Sequence, residues 1–336
     1  MDWQTQSVAK ALPWLLKPDD PGVRYLVLRD LLDVPHDDAE LKAARRAAHR
    51  HGPIAAVLDQ MDPSGFWVRP GPGYTGKYRS TVWALILLAQ LGALIEEDPR
   101  IEQGCVYLLD HAYAAGGQFT YSDSASGTID CLQGNLCWAL AQLGCEDARL
   151  KKAFEWMARS VTGEGVEPAT DTHAEVRYYA AKCGPTFACR YNNQLPCAWG
   201  GVKVMLAFSA WPAKRRTPLI KRAIKQGAEF LLTPDPAAAA YPTRTGDKPS
   251  RNWWKFGFPV FYVTDLLQNV EALVGLGYGA DPRLQNAVQI IRDKQDEQGR
   301  WSLDHDYKTW VNFGPTKQPN KWVTLRALRV LKQLAA

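Results

Sequence analysis

Apolar segments that end on Leu-Gly recur along this chain, at Leu91-Gly92, Leu143-Gly144 and Leu276-Gly277, with Ala210-Trp211-Pro212 closing another about midway between the last two. Each closes a stretch of the form W-A-L-x-x-L-x-x-L-G or a relative of it, and KWVTLRALRVLKQL near the end gives a further copy. Intervals of roughly 50–70 residues suit helix-hairpin units joined by loops of variable length. Amphipathic partners follow at Arg149 to Arg159, Pro218 to Leu232 and Asp281 to Lys294. Asp-Pro-Arg before such a partner, at Asp98 and again at Asp281, predicts an N-cap followed by a first-turn proline. Earlier helices are expected after Pro21 (VRYLVLRDLLDV), from Asp38, after Pro53 and from Tyr78 to Gly92.

The cysteines give the second constraint. Cys183 to Gly201 (CGPTFACRYNNQLPCAWGG) carries three of the seven, and Asp130 to Leu136 (DCLQGNL) shares its C-x-x-G ending: Cys131 to Gly134, and Cys197 to Gly200. Both patterns open an apolar segment, which sets a cysteine at a helix start, where free N–H groups and the positive dipole end favour a thiolate. Should the two starts adjoin, Cys131, Cys183, Cys189 and Cys197 converge. An odd number of cysteines in a chain of this size leaves metal ligation or buried free thiols rather than a disulfide framework. Cys105, Cys137 and Cys145 read as core.

Composition narrows the class. Of 336 residues 46% are apolar and 22% charged, which is globular, and a net charge of +5 is mild. The densest basic run, Lys214, Arg215, Arg216, Lys221, Arg222 and Lys225, reads as a solvated helix face, so no nucleic-acid partner is expected. Neither a signal peptide nor an 18-residue apolar run is present, which gives the expectation of a cytoplasmic chain with no membrane span. No phosphate-binding or dinucleotide fingerprint occurs either. Thirteen tryptophans ask for a large core or an aromatic cavity.

Gln295-x-x-x-Gly299-x-Trp301, echoed more loosely at Gln60 to Trp67 and at Gly116 to Phe119, resembles the QW-type repeat of the squalene cyclase and protein prenyltransferase superfamily. More narrowly, CLQGN, CAWGGVKV, WKFGFP and KWVTLRALRVLK are similar to a bacterial group of prenyltransferase/squalene-oxidase-repeat proteins. The resemblance covers about residues 20 to 336. It implies an all-α fold: one α/α-toroid domain over 1–336, of about five to six helical hairpins with inner helices ringed by outer ones, and residues 1–20 packing on it as an extension. It also implies a zinc ion near the starts of neighbouring inner helices. By position and residue type that role falls on Cys131 and Cys197 with Asp130, and on Cys183 and Cys189 as further ligands. The D-x-D-D acid motif of class II cyclases is absent, the nearest string being Asp304-His305-Asp306.

Zinc held by four thiolates is structural, whereas three protein ligands leave a place for water or substrate. Other candidates come from the residues themselves. His173 lies ten residues before Cys183, as an alternate ligand, a general base, or a surface histidine. His305 sits between two aspartates as part of an acid/base cluster or a solvated turn. Asp265 follows the aromatic run Phe256 to Tyr262, either as a proton donor of raised pKa or as a helix cap. Trp254, Tyr262, Trp310 and Trp322 are candidate cavity walls for a small apolar substrate, with Lys321 and Arg79 supplying positive charge at its mouth. Trp67 and Trp301 read as packing between helices.

The expectation is an enzyme related to terpenoid cyclases and prenyltransferases. A zinc–thiolate centre would act on an isoprenoid- or steroid-like molecule by Lewis-acid or acid/base chemistry, in a monomer or homodimer. Two alternatives stand beside it: a metal-independent cyclase or isomerase with Asp265 as proton donor, and a non-catalytic binding protein with a structural zinc.

Overall fold

The computed structural model describes residues 3–335 apart from 123, 169, 175–182 and 247–248. The helices are α1 (Trp3–Leu15), α2 (Pro21–Asp30), α3 (Ala39–Arg50), α4 (Pro53–Leu58), α5 (Thr81–Gln90), α6 (Pro99–Ala112), α7 (Asp130–Leu143), α8 (Ala148–Thr162), α9 (Ala198–Ala210), α10 (Pro218–Leu232), α11 (Leu266–Gly275), α12 (Gln285–Asp293) and α13 (Lys321–Gln333). The only sheet among the described residues pairs Ala188–Cys189 with Leu195–Pro196.

These helices form an α/α toroid. α5, α7, α9, α11 and α13 pack each on the next, and α2 completes the circle by contacting α13 on one side and the turn after α5 on the other, where Leu26 meets Gly92. Outside them stand α3 on α2, α6 on α5, α8 on α7, α10 on α9, α12 on α11 and α1 on α13. Position in the ring follows composition. α5 (TVWALILLAQ) and α9 (AWGGVKVMLAFSA) are buried on nearly every side, whereas α3, α8, α10 and α12 bury one stripe and face water with the other. No described helix is long and apolar enough to cross a membrane.

Element boundaries follow local chemistry. Asp98 caps α6 through Arg100 N–H with Pro99 in the first turn, and Gly144 ends α7 in the left-handed conformation at φ 85°. The segment expected from Tyr78 becomes helical only at Thr81, with Ser80 as N-cap. Asp281 caps a short 3₁₀ turn, Pro282–Leu284, that runs on into α12.

Two of the turns leading into inner helices are built alike. Trp67 N–H donates to Thr81 Oγ1 (3.1 Å) and its indole to Val57 C=O (2.8 Å). Trp301 N–H donates to Thr324 Oγ1 (2.9 Å) and its indole to Ile291 C=O (2.7 Å). Both indoles are fully buried between an outer and an inner helix, which is the packing role expected of them. Phe119 repeats the backbone half of the arrangement, donating to Gln133 Oε1 of α7 at 2.7 Å.

Candidate functional site

Four of the candidate residues, Asp130, Cys131, Cys189 and Cys197, gather where the inner helices α7 and α9 begin. α7 and α9 approach most closely. A Cβ on Gly134 would lie 2.4 Å from the carbonyl carbon and 2.6 Å from the oxygen of Lys203, so the two backbones touch where only glycine fits. One turn earlier this contact sets Cys131, in the first turn of α7, against Cys197, the N-cap of α9. The C-x-x-G pattern therefore unites a packing device with the thiol it positions.

Three thiols neighbour one another at this rim, Cys189 beside Cys197 and Cys197 beside Cys131. Cys189 arrives from the short β pair, whose turn returns the chain to α9. The helix-start thiolate expected at Cys197 is overturned. Donation to Cys131, together with burial, pushes its pKa up to about 12, outweighing the bond it receives from Cys189. Cys189 is raised for the same reason. Cys183 is buried one residue before Gly184, whose amide lies near the Asp130 carboxyl. Asp130 is 3% exposed; its Oδ1 accepts from Ser160 Oγ at 3.3 Å and its Oδ2 has no hydrogen-bond partner among the described residues. Burial, reinforced by Cys189, holds its pKa well above the carboxylate range.

Beside the thiols stands an aromatic wall. Tyr74, Trp83 and Tyr262 have ring centroids 5.4–6.1 Å apart, and Tyr78 stacks on Phe261 at 4.9 Å. Lys77 reaches over this wall, its ammonium 4.9 Å from the Tyr262 ring and 5.1 Å from that of Tyr74.

The other candidates fall elsewhere. Asp265 is the N-cap of α11, accepting from Gln268 N–H at 2.7 Å, and forms a bidentate pair with Arg326 at 3.0 Å on each arm. Burial alone would raise its pKa; the Arg326 charge and hydrogen bonds hold it below the ordinary value. It is thus an ionised carboxylate, which corrects its assignment as a proton donor. His305 packs against the Gly257 backbone, where a Cβ would lie 2.4 Å from the ring, and neither ring nitrogen has a partner among the described residues. Desolvation lowers its pKa. His173 is exposed in a turn capped by Asp171, on the edge of residues 175–182, which lie outside the described part.

One proposed wall residue, Trp322, and one proposed charge at the mouth, Lys321, are structural instead. Trp322 is buried and stacks on Phe258 at 4.7 Å, its ring edge 3.0 Å from where a Cβ on Gly22 would stand. Lys321 pairs with Asp19 at 2.5 Å on the seam between α13 and α2. Trp254 bonds Ala237 C=O, away from the wall. Trp310 donates to Arg79 C=O and receives the Arg79 guanidinium over its ring at 5.1 Å, so those two serve each other. Of the proposed set, Tyr262 alone belongs to the wall.

Several groups escaped sequence reasoning. Lys203 is fully buried in α9 and donates to Gln268 Oε1; desolvation lowers its pKa to about 7. A lone lysine in an otherwise apolar helix was the available signal. At the opposite mouth the C-terminal ends of the inner helices enclose a cavity of about 550 Å³ in which Glu271 faces Arg326 and Arg329.

No protein-family description matches the chain, and no curated protein does. Among solved structures, a protein from Actinoplanes is similar with a TM-score of 0.46 at 12% identity, covering 99% of this chain and 100% of that one. The type II terpene cyclase MstE from Scytonema is similar with a TM-score of 0.32 at 12% identity, covering 88% of this chain and 97% of its own. A single-residue variant of that cyclase gives 0.33 at 11%.

Proposed function

We propose that the chain is an enzyme of the terpenoid-cyclase and prenyltransferase kind, working at the rim where α7 and α9 begin, with zinc held by the rim thiols and an apolar small molecule lying along the aromatic wall. The observation that supports this reading is the convergence of Cys131, Cys189 and Cys197 with Asp130 next to Tyr74, Trp83 and Tyr262. The donor set is one that zinc favours, soft sulfur with a carboxylate. Among the described residues no three His, Cys, Asp or Glu groups already surround a common point at ligating distance. Binding would draw the thiols together as their protons leave. Zinc there would supply a Lewis acid and lower the pKa of a bound thiol or water. The chain's own part is to exclude water through the wall and to keep a proton on Asp130. The recurrent Trp67 and Trp301 turns, read as QW-type repeats, support the same assignment.

Elemental analysis of protein purified with zinc in the medium tests this. One zinc per chain is expected, reduced by Cys131→Ser and by Cys197→Ser. Absence of stoichiometric metal removes the zinc reading. Dependence on Cys183 as well as the other three would instead mark a closed structural staple.

A second reading rests on Asp130 alone. A buried carboxyl of raised pKa with a free oxygen is a general acid that needs no metal, and it takes over the part first considered for Asp265. Turnover that survives chelation but not Asp130→Asn would favour it.

A further inference from the structure

The cavity of about 550 Å³ at the mouth opposite the thiols is walled by residues of all six inner helices, α2, α5, α7, α9, α11 and α13. Its cations come from two of them, Arg29 from α2 and Arg326, Arg329 and Lys332 along one face of α13. Two of the four are matched one to one. Arg326 forms its bidentate pair with Asp265 at 3.0 Å, and Lys332 meets Asp33 at 2.5 Å. The other two share a single counter-ion: Arg29 bonds Asp30 at 2.5 and 3.1 Å, and Arg329 pairs with the same carboxylate. The Arg329 Nε–H is buried and has no partner among the described residues. Across the cavity, on α11, the Glu271 carboxyl accepts no hydrogen bond and forms no ion pair with any described residue. One arginine charge in excess and one uncompensated carboxylate thus share a cavity without touching.

We propose that this cavity binds a free amino acid with an apolar side chain, its carboxylate on Arg29 and Arg329, its ammonium on Glu271 and its side chain against Trp138 and Leu206.

The charges require both ends of the ligand. A simple anion would leave Glu271 unmatched and bring a second negative charge towards it, and a simple cation would do the same to the arginines. Guanidinium groups favour a planar carboxylate, which accepts their N–H bonds in parallel. Trp138, Leu206, Phe258 and Val260 make the apolar part of the wall, and the volume falls within the range of small-ligand sites. Desolvation raises the Glu271 pKa, a cost that a bound ammonium would offset. Because Arg29 belongs to α2 and Arg329 to α13, the bound carboxylate would also tie together the two helices that close the circle. None of these residues belongs to the thiol rim, so the inference stands apart from the chemistry proposed there.

Calorimetric titration of the full-length protein with L-phenylalanine and with L-leucine tests this, beside 3-phenylpropionate, which lacks the ammonium, and 2-phenylethylamine, which lacks the carboxylate. Binding of an amino acid with a Kd below about 1 mM is expected. Either truncated analogue should bind at least about tenfold more weakly than phenylalanine. Glu271→Gln, which breaks no bond of the fold, should weaken phenylalanine about tenfold and leave phenylpropionate unchanged. Amide exchange should slow on addition of the amino acid along residues 29–33 and 326–333. The proposal is overturned by the absence of binding by either amino acid up to about 10 mM, by phenylpropionate binding as tightly as phenylalanine, by a Glu271→Gln variant with undiminished affinity for phenylalanine, or by protection confined to other residues.

Discussion

Replacing Asp265 by Asn removes one charge from the centre of the ring while keeping an oxygen that can cap α11. The consequence follows from what that charge holds. Arg326 is fully desolvated, and its guanidinium is satisfied by the two Asp265 oxygens at 3.0 Å and by Gly257 C=O at 2.7 Å. Breaking a buried pair from one side typically costs about 3–5 kcal/mol, mainly because the other charge is left without a counter-ion. Retention of the cap through Gln268 N–H keeps the Asn substitution at the lower end, about 3 kcal/mol, whereas Asp265→Ala adds about 1 kcal/mol for the cap. At a urea m-value of about 3 kcal/mol per molar the Asn variant should unfold roughly 1 M earlier. The pH dependence has a fixed sign. Because the folded pKa of Asp265 lies below the unfolded one, its contribution is complete above the unfolded value of about 4 and disappears as pH falls through the folded value. The acid limb of the wild-type stability curve should therefore be steeper than that of the Asn variant. Adding Arg326→Met to the Asn variant should recover part of the loss, since the uncompensated buried ion is removed. An Asn variant within about 0.3 M of wild type at pH 7, or a double variant weaker than both singles, refutes this reasoning.

Gly134→Ala should destabilise by about 1–3 kcal/mol in chemical denaturation, because the methyl must part α7 from α9; on a free helix the same change would stabilise by about 1 kcal/mol, so the sign of the effect decides. Lys203 has a folded pKa near 7 against about 10.4 when unfolded, so the unfolded chain binds more protons between those values and wild-type stability should rise with pH across that window. Lys203→Met should flatten urea midpoints measured at pH 7 and 9; an unchanged slope contradicts a buried neutral amine. Trp301→Phe orphans the buried Ile291 C=O and should cost about 2–3 kcal/mol by calorimetry, whereas Val57 C=O keeps the Gln60 N–H after Trp67→Phe, so that change should cost about 1 kcal/mol less; equal losses contradict this.

What could be read beforehand was whatever repeats or pairs locally. The Leu-Gly closures mark the ends of α5, α7 and α11, and the Asp-Pro-Arg caps mark α6 and the turn into α12, because helix ends are specified within a few residues. The C-x-x-G pair was visible as two cysteines at helix starts, but the backbone contact at Gly134 that brings them together was not. Asp265 was misjudged because its partner, Arg326, lies 61 residues later, and a charge read without its counter-ion cannot be assigned a protonation state. Lys321 and Trp322 were misplaced for a related reason: both sit where the last inner helix meets the first, a junction no local window contains.

That junction sets how the whole body comes apart. Around the rest of the circle neighbouring inner helices are consecutive in repeat, but α13 meets α2, besides the packing of Trp322 on Gly22, through Lys321 with Asp19, Arg329 with Asp30 and Lys332 with Asp33; the first and last of these pairs leave their aspartate open to solvent. Ionic clasps of this sort loosen as the Debye length shrinks. Raising salt should therefore unlatch the circle at one hinge point before any hairpin melts, so that amide exchange accelerates first along residues 19–33 and 321–333 and the closed band becomes an open crescent.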